Sequence, residues 1–168
     1  MARHGANPRL PDLGPHGEGW VLGQLVLLGL VIVLGTRSGI PSLGNAGFMG
    51  WLSFVLGAGG LAIGAWLLLR GIVDLGRSLT PLPRPRADAR LVESGIYATL
   101  RHPIYAGMIA ASVGWGIFTR SPAALVVALL LAALLDGKAR REEAWLLERY
   151  PPYAAYRLRT RRFLPGVY

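Results

Sequence analysis

The run from Phe48 to Leu69 holds 22 residues without one charged side chain. A helix needs about 20 predominantly apolar residues to cross a bilayer. This run therefore predicts a membrane helix and argues against an ordinary soluble domain. Trp20–Gly35 is also uncharged, while Ile104–Phe118 and Pro122–Leu135 are shorter, at 15 and 14 residues. By length alone the last two could be core helices of a soluble protein, but nothing else in the chain could cover so much apolar surface. They are separated by "TRSP", which predicts a tight hairpin whose helices extend a few residues past their apolar limits. The expectation is an all-α integral membrane protein with about four transmembrane helices. The first apolar run starts late and is not followed by a small-x-small site, so it is expected to remain as a helix and not to be cleaved as a signal.

Charge predicts the orientation. Of the 18 basic residues, 17 are arginine, and they fall unevenly between the apolar runs. Basic residues concentrate on the cytoplasmic side of membrane helices. Four helices with both termini inside put 16 basic residues in the cytoplasm and leave two, Arg37 and Arg120, outside. The same distribution would draw the tail to anionic lipid. The expected location is a bacterial inner membrane, since the Arg-, Ala- and Gly-rich, cysteine-free composition suits a high-GC genome.

Three regions follow. Residues 1–19 are rich in Gly and Pro and are predicted to be a disordered cytoplasmic N-terminus. Residues 20–69 hold two membrane helices. Residues 70–168 hold a proline-punctuated cytoplasmic loop, the hairpin and a basic tail. "DGKARREEAWLLERY" keeps helical character after the fourth apolar run, and Pro151-Pro152 stops it. "YAAYRLRTRRFLP" is expected to form a short amphipathic helix at the membrane surface.

Several chemistries are excluded. No cysteine is present, so there is no disulfide, thiolate metal site or cysteine nucleophile. His4, His16 and His102 have no metal-ligand spacing, and no aromatic-basic interleave suggests a nucleic-acid groove. "GAGGLA" at Gly57–Ala62 fits the loose dinucleotide pattern but lies inside an apolar run with no strand before it. Its glycines are read as helix-contact positions.

One cluster remains, at the ends of the last two apolar runs that the hairpin brings together. One side offers Tyr97, Arg101, His102 and Tyr105. The other offers Arg140, Arg141, Glu142 and Glu143. Pro103 suits the first turn of a helix. His102 then falls at or beside the N-cap, where free backbone donors can hold an anion. An ion-pair network would explain the charges alone, but not the histidine and two tyrosines beside them.

The chain resembles the isoprenylcysteine carboxyl methyltransferase family and its phospholipid methyltransferase relatives. The resemblance rests on Leu91-Val92, Gly95, Tyr97, Arg101-His102-Pro103, Tyr105 and Gly107. After one hairpin it continues through Glu142-Glu143, Leu146, Tyr150, Tyr153, Tyr156, Phe163 and Pro165. It covers roughly residues 76–165, and departs at "ERYPPY", one residue shorter than the family's aromatic-G-x-x-Y. It implies an integral membrane methyltransferase that uses S-adenosyl-L-methionine, with the active site facing the cytoplasm. It implies that His102, Pro103, Ile104 and Tyr105 line the cofactor, that Leu91, Val92 and Tyr97 close one side, and that Arg101 and Glu142 hold its charged groups. The acceptor would be a lipophilic small molecule or a membrane lipid. A basic residue before the glutamate pair would contact the acceptor, with Lys138, Arg140 and Arg141 competing for that place. No metal is implied. Membrane sterol reductases, which bind NADPH, share an R-H-P-x-Y-like stretch but are longer. A non-enzymatic lipid-binding protein would explain the charge but not the ordered motif.

Overall fold

The computed structural model describes residues 13–14, 17–39, 47–80, 82 and 91–164. The described chain is helical. It forms α1 (Glu18–Ser38), α2 (Gly47–Leu75), α3 (Pro103–Phe118), α4 (Pro122–Arg149) and α5 (Tyr153–Arg159), with short 3-10 turns at Gly76–Ser78 and Gly95–Ala98. Most of residues 1–19, the loop arginines Arg84, Arg86 and Arg90, and Pro165 lie outside the described residues.

The helix boundaries revise the expectations in three places. α1 begins at Glu18, inside the segment expected to be disordered, and the Gly19 N–H donates to the Leu13 carbonyl at 2.8 Å. α2 runs to Leu75, six residues beyond its apolar run, because nothing in Arg70–Leu75 breaks a helix and Arg70 pairs with Asp74 one turn on. The hairpin is asymmetric. α3 gains only Pro103, whereas α4 continues without a break through the charged stretch to Arg149, and Pro151-Pro152 turn the chain as expected.

Three helices, α1, α2 and α4, are long and apolar enough to cross a membrane. The 16 residues of α3 rise about 24 Å, less than the roughly 30 Å hydrocarbon core. The expected fourth spanning helix is therefore a shorter apolar helix packed among the other three.

The packing of α2 on α3 follows from glycine. The buried residues of α2 are Gly50, Gly57, Gly64 and Gly71, seven apart, so they share one face. A Cβ at Gly64 would come within 2.6 Å of the Ala111 nitrogen, and one at Gly57 equally close to the Phe118 backbone. Gly107 and Gly114 answer from α3. Small residues let helix backbones touch where lipid supplies no hydrophobic drive between helices. Gly64→Leu is expected to push α2 off α3 and lower the melting temperature in detergent, since the obstructing atoms are backbone and overpacking costs about 1–3 kcal/mol or more. Gly29→Leu on α1, where a Cβ meets nothing within 4 Å, is the control and should melt like the parent.

The helices alternate in direction. The far end of α1 meets the α3–α4 turn, where Ser121 Oγ donates to the Leu34 carbonyl at 3.2 Å. The start of α1 meets the second half of α4, where Trp20 packs against Gly137. One end of the bundle therefore gathers the start of α1, the end of α2, the start of α3 and the charged half of α4.

The tail closes that end. Its aromatic face has a protein partner. Tyr153 and Tyr156 on α5 are buried, and Tyr156 OH donates to the Tyr97 carbonyl at 2.7 Å. Beyond α5, Arg161 pairs with Leu100 in a parallel bridge. The Arg101 N–H donates to the Arg161 carbonyl at 2.7 Å, and the His102 N–H to the Arg162 carbonyl at 3.1 Å. The outward residues of this segment, Leu158 and Leu164, are exposed.

Candidate active site

The closed end surrounds a cavity of about 350 Å³. Its apolar wall comes from the last turns of α2, with Leu68, Ile72 and Leu75. Its polar and aromatic wall comes from the start of α3, the charged half of α4 and the tail.

Local sequence sets the start of α3. Pro103 occupies the first turn and His102 is the N-cap. Pro103 has no N–H to lose and packs against Gly71, 3.3 Å from where a Cβ there would sit. The His102 N–H is given to the tail and not left for an anion. The His102 ring stacks on Tyr105, with centroids 5.3 Å apart and planes 6° from parallel.

Helix geometry sorts the charged residues of α4. Lys138 and Glu142 are four apart and share a face, while Glu142 and Glu143 point about 100° apart. Glu142 faces the cavity, and its Oε2 accepts from Tyr105 OH at 3.0 Å and lies 3.6 Å from His102 Nδ1. Glu143 turns inward and is nearly fully buried. It pairs with Arg101 Nε at 3.0 Å and Arg162 Nε at 3.1 Å, and lies 3.3 Å from His102 Nε2. His102 thus sits between two carboxylates, one facing the cavity and one in the interior.

The expected site residues separate accordingly. Leu91, Val92, Tyr97, Arg101, His102, Ile104, Tyr105, Lys138 and Glu142 line the cavity. Pro103 lies behind the wall, against α2. Arg101 reaches the cavity, but its guanidinium is committed elsewhere, to Glu143 and to the carbonyls of Arg157 and Thr160. Of the three basic residues competing for the acceptor, Lys138 alone borders the cavity. Arg140 is half-exposed and pairs with Asp136 at 2.6 Å. Arg141 stacks on Trp145, 4.4 Å from the ring centre.

The sequence reading did not assign Gln24, Met108, Tyr150, Tyr153 or Tyr156 to this wall. The three tyrosines belong to the motif already noted, so their spacing could have flagged them. Gln24 is the one amide in the Trp20–Gly35 run, and polar residues inside membrane segments are functional candidates.

Burial pushes the hydroxyls of Tyr97, Tyr153 and Tyr156 well above the ordinary tyrosine range. All three therefore stay neutral at physiological pH and can donate hydrogen bonds. Tyr97 donates to the Gly71 carbonyl at 3.3 Å. The Tyr153 hydroxyl is buried with no hydrogen-bond partner among the described residues. A buried orphan donor costs about 1–3 kcal/mol.

The bundle is thus apolar along its length, with a chemically mixed cavity at one end, one carboxylate facing in and a cation one turn away. Residues 52–152 match the phospholipid methyltransferase family, and the chain belongs to that family of membrane methyltransferases. The matched stretch takes in most of the cavity wall but leaves out Gln24, Tyr153 and Tyr156. The chain is 34% identical to the cobalt-zinc-cadmium resistance protein CzcN of Cupriavidus metallidurans, over 62% of this chain and 53% of that protein. It is 33% identical to the nickel-cobalt-cadmium resistance protein NccN of Alcaligenes xylosoxydans xylosoxydans, over 49% of this chain and 39% of that one. The matches thus span about half or less of these relatives' length.

Proposed function

We propose that this protein transfers a methyl group from S-adenosyl-L-methionine to a lipophilic, membrane-borne acceptor, in the manner of isoprenylcysteine carboxyl methyltransferases. The observation that carries the reading is the Glu142 carboxylate, directed into the cavity between Tyr105 and His102. A ligand bearing a sulfonium and an ammonium wants a carboxylate and aromatic faces. These residues fit the cofactor.

Bound there, the cofactor would supply an electrophilic methyl group to an acceptor carboxylate oxygen and would leave as the neutral thioether. The chain's own contribution is placement. Glu142, held by Tyr105, fixes the cationic side. Lys138, one turn back on the same face, meets an anionic headgroup. Leu68, Ile72 and Leu75 take the lipid chain. A carboxylate acceptor is already ionised and needs no base, so orientation and exclusion of water carry the rate. The concentration of arginines on this end supports an active site facing the cytoplasm of a bacterial inner membrane.

The relatives' names speak of metal resistance. The methyl-transfer reading of this chain rests instead on the family match and on the carboxylate at its cavity.

Purified protein in detergent should bind S-adenosylmethionine or its demethylated product in titration calorimetry and ignore NADPH. His102→Ala should weaken that binding more than about tenfold, because removing one partner from a buried charged network leaves the other unsatisfied. Binding of NADPH alone would replace this reading with a reductase.

A further inference from the structure

The cavity wall from Leu91 to Tyr97 has no helix or strand of its own beyond the 3-10 turn Gly95–Ala98, yet Leu91, Val92 and Tyr97 all line the cavity. The N-cap of that turn, Ser94, makes no side-chain hydrogen bond. The cap comes instead from Asp74, in the last turn of α2, whose Oδ2 accepts from the Ile96 N–H at 2.8 Å. Gly71, three residues back on the same face, takes the other end of the wall, where its carbonyl accepts from Tyr97 OH at 3.3 Å. The end of α2 thus grips the segment at a backbone N–H and at a side chain. Gly95 completes the fit. Its φ of +62° is left-handed, and a Cβ there would come within 2.5 Å of the Asp74 carboxyl carbon. The Arg70 ion pair does not account for this carboxylate. An exposed pair contributes little, whereas the Asp74 side chain is only 13% exposed and is turned onto the main chain of another element.

We infer that Asp74 is a positioning residue: it holds the Leu91–Tyr97 segment against α2 as one wall of the cavity, and so sets how tightly the proposed cofactor is enclosed. The inference rests on the methyl-transfer reading and adds a residue that does not itself line the cavity. With the carboxylate gone, the Ile96 N–H would turn to water, and the Tyr97 contacts would be left to hold the segment. A shift of about 1 Å in a binding wall is enough to cost an order of magnitude or more.

The chain has no cysteine, so Ser94→Cys, at an exposed position, takes a single nitroxide label that reports how firmly the segment is held. The test uses full-length labelled protein in detergent. Titration calorimetry with S-adenosylhomocysteine and the spin-label line shape are read on the same samples. The labelled parent should bind and show an immobilised label. Asp74→Ala should weaken binding by about tenfold or more and mobilise the label. Asp74→Asn should restore both, since its carbonyl can still accept from Ile96 while the half-exposed Arg70 turns to water. Gly95→Ala drives a Cβ into Asp74 and should resemble Asp74→Ala. Combining the two should cost no more than the worse of them, because both break one contact. Gly95→Ala carries the test if Asp74→Ala does not fold. A merely structural Asp74 would lower the melting temperature and leave S-adenosylhomocysteine affinity at the parent's value, which would overturn the proposal with the methyltransferase reading untouched. So would an Asp74→Asn that fails to restore binding, or losses from Asp74→Ala and Gly95→Ala that multiply. A parent that binds no S-adenosylhomocysteine would remove the methyl-transfer reading and this inference with it.

Discussion

Glu142→Gln is expected to weaken S-adenosylmethionine binding about a hundredfold, the loss that roughly 3 kcal/mol of charge-assisted hydrogen bonding implies. The fold should survive. Glu142 is a quarter exposed toward the cavity, and its acceptor role toward Tyr105 OH can be kept by the glutamine carbonyl. What the substitution removes is the negative charge facing the proposed sulfonium and ammonium. Calorimetry should therefore show the binding loss, while circular dichroism and the melting temperature in detergent stay near those of the parent.

Its neighbour is expected to behave in the opposite way. Glu143→Gln should destabilise the protein by about 3–5 kcal/mol, the usual consequence of removing one partner from a buried ion pair. Arg101 and Arg162 are each about one-tenth exposed and converge on this carboxylate, which is 3% exposed. Without its charge, two buried guanidiniums lose their counter-ion. Arg162 keeps Asp136 at 2.8 Å, so the tail should loosen and not detach entirely. The expected observations are a large drop in melting temperature, faster proteolysis within α5, and S-adenosylmethionine affinity within a few-fold of the parent when measured well below the melt. If Glu143→Gln lost the ligand while melting normally and Glu142→Gln did the reverse, α4 would be rotated and the assignment of the two carboxylates wrong.

The contrast between these neighbours was legible in the sequence. Adjacent helical residues must diverge by about 100°, so only one of the pair could face the cavity, and the resemblance implied Glu142, which does line it. Other local features were equally legible. Pro103 takes the first turn of α3, the hairpin turns at Thr119-Arg120, and α4 stops before Pro151-Pro152. The glycine contacts were half-read. The glycines of Gly57–Ala62 were singled out, but the longer repeat Gly50-Gly57-Gly64-Gly71 is the buried face of α2.

Arg101 shows where the reading stopped. Beside His102 in the motif it was grouped with the cofactor, yet its guanidinium binds Glu143 and the carbonyls of Arg157 and Thr160. Those carbonyls lie 56 and 59 residues away, on a tail whose return to Leu100 leaves no periodic trace. The choice among Lys138, Arg140 and Arg141 was open for the same reason, since each is basic and each sits on one helix.

By itself the sequence determined that the chain is helical and apolar enough for a membrane, where α3 starts and α4 stops, and which motif residues cluster at one end. These follow from interactions that act within a turn or two: hydrophobic run length, proline and glycine chemistry, and the angle between neighbours on a helix. The tertiary structure alone decided that α3 is a short helix packed among longer ones, that the tail forms part of the cavity wall, and that Lys138 borders it where Arg140 and Arg141 do not. Gln24 meets Lys138 across 114 residues. Such a pairing depends on which face of α1 the glycines and Trp20 dock against α4, and that is settled only when the helices pack.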